Sequence, residues 1–465
     1  MKIYRVCAHL GHAPNWRNDL KLFNKDFSEN EQFQIMRKEE VLIPGAWHEE
    51  SNKLGHEVFD VIPTDNYSFI NWIKSNENKI GKSKSTELLN SMNNISIMAE
   101  QIKVFRPDFV FLYAGGTYFC PYDVRQFIDN YCGFKNKWTC HWADEIPPWM
   151  NYKDLLRGYE CIFVSTIGYK KMLSKMGYET FVLGNSFSDY GKKFITQPIK
   201  NENIKYDVLF IGTTGYGIAE HIPRYKILRE LLKSDEINFK IISAEPDRLD
   251  FYKSKKNIFL KAQIVSFFSK IFPKTITKFL WLTLAKYQIS WKKIIRKFTS
   301  LIKVIYMIQF ENYKIEDIYP YYFWDEAKYF VGKKPLWLEF PEKVERKILF
   351  GINYYNEIRK SKIILNIHRS ELHDYGNIRD FEVTGCGILL LTDREELMKE
   401  YMKPLEHFVP FDNFQDLIKK IKYYSNNENE RQLIARKGQL NTLKNCHTRN
   451  RVKVFFETLQ KIKGV

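Results

Sequence analysis

The stretch NIRDFEVTGCGILLLTD, residues 377–393, places an acid, Glu382, just before a run of aliphatic residues. An unpaired carboxylate beside a core strand is costly, so Glu382 requires partners. The first half reads as a short helix that begins near Asn377 and stops at Gly385 or Gly387. The N-terminus of such a helix presents unpaired N–H groups and a positive dipole end, a ready anion site. Glu382 sits about one and a half turns in, where a carboxylate can accept hydrogen bonds from paired hydroxyls such as a ribose diol. Asp374 precedes it by eight residues, an acid-x7-acid spacing. The competing reading is an ordinary helix acid paired with Arg379.

Three further stretches carry chemistry. In LFIGTTGYG, residues 209–217, a glycine turn follows a strand. Gly212 can admit a pyrophosphate close to the backbone, and Arg224 and Lys226 downstream can neutralise it. A plain tight turn with two surface cations is the alternative. In LNIHRS, Asn366 and His368 stand at a strand end, where a His can bond a phosphate or a sugar hydroxyl, or simply be half-buried and satisfied. In CHWADE, Asp144 follows a buried strand and is the first candidate for a base facing a hydroxyl, with His141 beside it and His9 or His12 in the first loop. No Asp-x-Asp occurs, so a metal-clamped diphosphate is unsupported, and no metal site or cofactor is expected.

These residues need a scaffold of parallel strands. Short apolar runs alternate with amphipathic stretches through KIYRV, EVFDVIP, RPDFVFLYAGG, KWTCHW and YECIFVST, the last followed by a helix through YKKMLSKMGYETFVL. Such alternation implies an α/β fold with a parallel sheet covered on both faces, whose ligands sit at the carboxyl ends of the strands. A polar segment after residue 187 reads as a linker. A second alternating series then starts at YDVLFIG and continues through NFKIISA, KIILNIH and HFVPF. The expected organisation is a first Rossmann-like domain over 1–187 and a second over 188–449, with a last helix over 450–465 that crosses back. Of the net charge of +17, thirteen units fall in residues 251–310, which hold twelve Lys, one Arg and no acid. Mixed with Trp, Phe, Leu and Ile, that segment reads as a basic helical insertion suited to an anionic membrane surface, or packed on the second domain with a solvated Lys face. No nucleic-acid motif accompanies it. Seven scattered cysteines without a CxxC pair, no signal-peptide pattern and no membrane-span-length apolar run point to the cytoplasm, with peripheral attachment to the inner face of the membrane.

The block SKIILNIH, GNIRDFEVTGCGILLLTD and ENERQLIARKGQLNTLKNCHT resembles the C-terminal half of bacterial GT-B glycosyltransferases, the spore-maturation-type group in particular. GYETFVLGNSFS followed by YDVLFIGTTGYG is similar to that group's domain junction, and RKEEVLIPGAWHEESNKLGHEVFDVIPTD resembles its N-terminal portion more weakly. The resemblance implies two Rossmann-like domains facing across a cleft, and transfer of a sugar from a nucleotide-sugar donor in the second domain to a hydroxyl acceptor in the first. The acceptor is then a cell-envelope glycan, a lipid-linked glycan or a protein. It further implies that Glu382 binds the donor ribose and that Asp374, an Asp where the family carries Glu, contacts the sugar. Asn377, Arg379, Gly212, Arg224, Lys226, Asn366 and His368 complete the expected donor site. A non-catalytic scaffold and a sugar-nucleotide epimerase are the alternatives on the same fold.

Overall fold

A computed structural model describes residues 1–7, 29–39, 45–113, 116–142, 156–199, 201–216, 221–243, 267–284, 302, 305, 309, 333–368, 377–393 and 401–464. Two six-stranded sheets form, and every strand pair in them is parallel. The first runs β2-β1-β3-β4-β5-β6, built from β1 Lys2–Cys7, β2 Glu57–Val61, β3 Phe109–Tyr113, β4 Trp138–Trp142, β5 Cys161–Val164 and β6 Thr180–Val182. The second runs β12-β11-β10-β7-β8-β9, built from β7 Tyr206–Ile211, β8 Phe239–Ser243, β9 Val344–Arg346, β10 Ser361–Asn366, β11 Leu389–Asp393 and β12 Val409–Phe411. In the second sheet the chain winds outward from a central pair, β7 and β10, in both directions, the order of a doubly wound Rossmann unit. The central strands are nearly continuous apolar runs because helices cover both faces.

One sequence reading fails locally. A single helix through YKKMLSKMGYETFVL does not form. The helix ends at Lys175, Gly177 turns the chain at φ +86°, and TFV becomes the edge strand β6. The short β9 was not anticipated either, because VER has no apolar run to mark it.

Among the described residues, two of the contacts that tie the halves together stand out. The C-terminal helix Thr448–Lys463 starts beside the linker, where the Thr448 N–H donates to Phe187 O at 2.9 Å, and then lies on the first sheet. Its Val452, Phe455, Phe456 and Leu459 are buried with Ile3, Trp47, Phe109, Phe111 and Phe163, and the Phe455 and Phe111 ring centroids are 4.5 Å apart. The second contact joins helix α1, Glu29–Lys38, to helix α2, Gly351–Ile358. Glu39, just past α1, accepts a hydrogen bond from the Ile352 N–H at 2.9 Å, so a first-domain carboxylate caps the positive end of a second-domain helix. Gly351 adopts φ +58°, and a Cβ there would stand 1.9 Å from the Glu39 carboxylate. Gly351→Ala therefore loses about 1–2 kcal/mol to backbone strain alone and displaces Glu39 as well. Thermal unfolding should show a lower Tm for this variant, and a Tm equal to wild type would remove Glu39 as an interdomain cap.

Candidate donor site

β7 and β10 are neighbours, yet the chain leaves them in opposite directions, so a crevice opens past their carboxyl ends. Gly212 follows β7 at φ +152°, and its N–H donates to Ile242 O at 3.0 Å. A Cβ at Gly212 would lie 2.6 Å from Arg379 Nη1, so the missing side chain lets that guanidinium rest against the turn. Arg224 is the third residue of helix α3, Ile222–Leu232, and reaches the same crevice. Its Nε donates to Ile367 O at 3.0 Å and its Nη1 lies 3.3 Å from Thr213 Oγ1, so it joins the turn after β7 to the end of β10. Lys226 is two residues on, about 200° around the helix, and is exposed.

Past β10 the side chains form one buried polar network around helix α4, Ile378–Gly385. Asn377 is the N-cap. Its side chain accepts from the Arg379 N–H at 2.9 Å, while Asp380 accepts from the Asn377 N–H at 3.0 Å, a reciprocal capping box. The helix thus satisfies part of its own positive end. Asn366 Nδ2 donates to Asp380 Oδ1 at 2.7 Å and to Asn377 Oδ1 at 3.1 Å. His368 bridges two carboxylates, with Nε2 2.9 Å from Asp380 Oδ2 and Nδ1 2.6 Å from Asp393 Oδ1 at the end of β11. Its backbone N–H also donates to both Asp393 oxygens at 3.1 Å. Both ring nitrogens thus face carboxylate oxygens, an arrangement that suits a ring donating from each. Burial weighs against a charged ring, but Asp380 and Asp393 outweigh it and hold the His368 pKa well above its ordinary value. Asp393 moves the other way: burial opposes its ionisation, and the hydrogen bond and charge of His368 bring it below the usual carboxylate range.

Glu382 projects from the same helix, half-buried. It accepts from the Tyr354 hydroxyl at 2.7 Å and lies 3.5 Å from that of Tyr355. Both tyrosines belong to α2, the helix capped by Glu39. Arg379 Nε donates to Tyr354 Oη at 3.2 Å, so a phenol stands between this arginine and Glu382 in place of a direct ion pair. Burial chiefly, with Glu382 adding to it against the opposing Arg379, raises the Tyr354 pKa well above its ordinary value and keeps the hydroxyl a donor.

The structure therefore brings Gly212, Arg224, Asn366, His368, Asn377, Arg379 and Glu382 to one sheet edge, with Lys226 turned away from Arg224. In the first domain His141 is buried in β4, its Nε2 3.0 Å from Leu183 O and its ring 5.1 Å from that of Tyr113. The carbonyl only accepts, so Nε2 carries the proton, and burial pushes the His141 pKa down to about 4. Asp144, His12 and Asp374 lie outside the described residues. Sequence reasoning missed Asp380, Asp393, Tyr354 and Tyr355. The first had a usable signal, Asn-x-x-Asp at a helix start. Among the described residues no group of three or more His, Cys, Asp or Glu is arranged to hold a metal ion.

Residues 323–457 match the family model described as glycosyl transferase-like. No curated protein matches the chain. Among solved structures, HepE from Anabaena in complex with UDP-glucose is 9% identical with a TM-score of 0.49, covering 99% of this chain and 100% of its own. Sucrose-phosphate synthase from Thermosynechococcus elongatus is 8% identical with a TM-score of 0.47, covering 100% and 99%. A glycosyltransferase from Rickettsia africae is 11% identical with a TM-score of 0.42, covering 99% and 98%. These are distant likenesses, and the architecture stands on the chain's own two sheets. The family match covers the strands and helices that build the network around Glu382, so this part of the chain is similar to glycosyl transferases.

Proposed function

We propose that the chain transfers a sugar from a nucleotide-sugar donor, seated at the carboxyl edge of the second sheet, to a hydroxyl acceptor presented by the first domain. One observation carries the donor reading: Glu382 stands beside the β7–β10 crevice on a helix whose start is locked to two strand ends. A ribose diol would take the place of the tyrosine hydroxyls on its carboxylate. The diphosphate would lie over the Gly212 turn, where Arg379 offers its charge and Arg224 braces the two turns. Fixed cations of this kind stabilise charge that develops on a leaving diphosphate. Asp144 would face the acceptor, a cell-envelope glycan, a lipid-linked glycan or a protein, whereas His141, expected as its alternative, is buried in β4 with Nε2 on the Leu183 carbonyl. Incubating the chain with a panel of nucleotide sugars should release nucleoside diphosphate from at least one of them. Release from none, with no donor bound, would refute the reading.

The acceptor side is proposed to lie at the inner face of the cytoplasmic membrane. The seven cysteines are unpaired and buried, as suits a reducing compartment. Among the described residues no helix is long and apolar enough to cross a membrane. Around the helix Lys274–Leu284, however, Phe267, Ile271, Ile276 and Phe279 are 46–68% exposed, interleaved with exposed Lys270, Lys274 and Lys278. Apolar side chains among lysines suit insertion into an anionic headgroup layer. The full chain should float with phosphatidylglycerol vesicles, and Ile276→Glu with Phe279→Glu should abolish flotation. Equal flotation of that double variant would exclude this helix as the membrane contact.

A further inference from the structure

A cavity of about 460 Å³ opens at the opposite, amino edge of the second sheet, where Ser361 starts β10 and Leu389 starts β11. That volume falls in the usual range for small-molecule sites. It lies on the order of 17 Å along β10 from Asn366, so it is separate from the crevice around Glu382. One wall is the interdomain linker, residues 196–199. The facing wall is one side of helix Glu428–Asn445, which presents Arg431, Ala435 and Gln439 at successive turns with Arg436 beside them.

The charged residues described in this cavity are of one sign. Arg359, Lys362, Arg431 and Arg436 line it, and among the described residues no Asp or Glu does. Lys362 is neutralised from outside the cavity by Asp207 at 2.6 Å. Arg359 fastens the linker, its guanidinium donating to Ile195 O at 2.8 Å, Gln197 O at 2.6 Å and Cys386 O at 2.9 Å. The two arginines of the helix differ. Arg431 uses Nη1 on Tyr424 O at 2.8 Å, and Arg436 uses Nη1 on Gln439 Oε1 at 2.6 Å, which leaves Nε and Nη2 of each for a ligand. Arg431 is only 7% exposed, and burial is the chief influence that lowers its pKa. The lining also has apolar members, Ile388, Leu389 and Ala435. Two arginines and an apolar lining in one cavity match an anion that takes forked hydrogen bonds and carries a hydrocarbon body.

We propose that this cavity binds a small organic phosphate, with the phosphate on Arg431 and Arg436 and the apolar body over Ile388 and Ala435. Such a ligand touches the linker and the second domain together. The test is arginine modification of the full chain by phenylglyoxal, read residue by residue from peptide masses, with phenyl phosphate as the probe. Phenyl phosphate should slow modification of Arg436 several-fold, while sulfate at the same ionic strength should not. The protection should persist in Glu382→Ala, which separates this site from the donor crevice, and should vanish in Arg431→Gln. Modification of Arg436 at one rate with and without phenyl phosphate would overturn the proposal, as would equal protection by sulfate. The comparison within the wild-type chain decides the matter even if Arg431→Gln does not fold.

Discussion

Glu382→Gln folds as the wild-type chain does and binds a nucleotide-sugar donor about 10- to 150-fold more weakly, the equivalent of losing about 1.5–3 kcal/mol of charge-assisted hydrogen bonding. The two halves of that expectation have separate causes. A glutamine oxygen still accepts the Tyr354 hydroxyl, which sits 2.7 Å away in the wild type, so no buried donor is stranded. What the variant lacks is the negative charge offered to two hydroxyls of a diol. Glu382→Ala should bind as poorly or worse and should also be less stable, by about 1–3 kcal/mol, because the Tyr354 proton then has no carboxylate. Isothermal titration and thermal unfolding of both variants separate the roles. Wild-type donor affinity in Glu382→Gln would reduce Glu382 to an anchor for two tyrosines.

The largest stability effect belongs to His368. Removing one member of a buried charge network leaves the others uncompensated, at a cost of about 3–5 kcal/mol. His368→Ala leaves Asp380 and Asp393 facing each other without the cation that bridges them at 2.9 and 2.6 Å. The pH dependence follows from the directions of the shifts. The folded pKa of His368 lies above the unfolded value of about 6.5, so its contribution is complete below that value and is lost as pH rises through the folded pKa. Asp393 is displaced downward, so its contribution is present above about pH 4 and is lost as pH falls through its folded pKa. Wild-type stability should therefore be greatest between about pH 4 and 6.5 and decline progressively as pH rises from there. In His368→Ala that decline should disappear, and stability should improve on acidification as the stranded carboxylates take up protons. Chemical denaturation between pH 4 and pH 10 checks both curves. Parallel curves for the two proteins would show that His368 does not carry the network's charge.

Ten of the twelve sheet strands were legible because each is a short apolar run bounded by turn residues, whereas β6 was read as helix and β9 has no apolar run to mark it. The chemistry around Glu382 was only half legible. Its position in the helix follows from a period of 3.6. Its partners do not, since Tyr354 and Tyr355 lie 27 or 28 positions earlier and look, in NYYNEI, like ordinary helix filling. His368 illustrates a second limit. Asn366 and His368 were visible at a strand end, yet the residues that determine its charge come from a helix cap and a neighbouring strand. Only the parallel pairing of β10 with β11 brings Asp393 beside it. Arg224 shows a third: its charge was expected to serve a diphosphate, and long-range folding gives its donors backbone carbonyls on two separate turns.

The central claim is that a nucleotide occupies the β7–β10 crevice with its ribose on Glu382. A crystal structure of the chain grown with uridine, guanosine or adenosine diphosphate tests it most directly. The account predicts a diphosphate over the Gly212 turn near Arg379, and both ribose hydroxyls on the Glu382 carboxylate in place of at least one tyrosine hydroxyl. A nucleoside diphosphate bound elsewhere, with the Glu382 carboxylate still on Tyr354 and Tyr355 and no ribose on it, would contradict it.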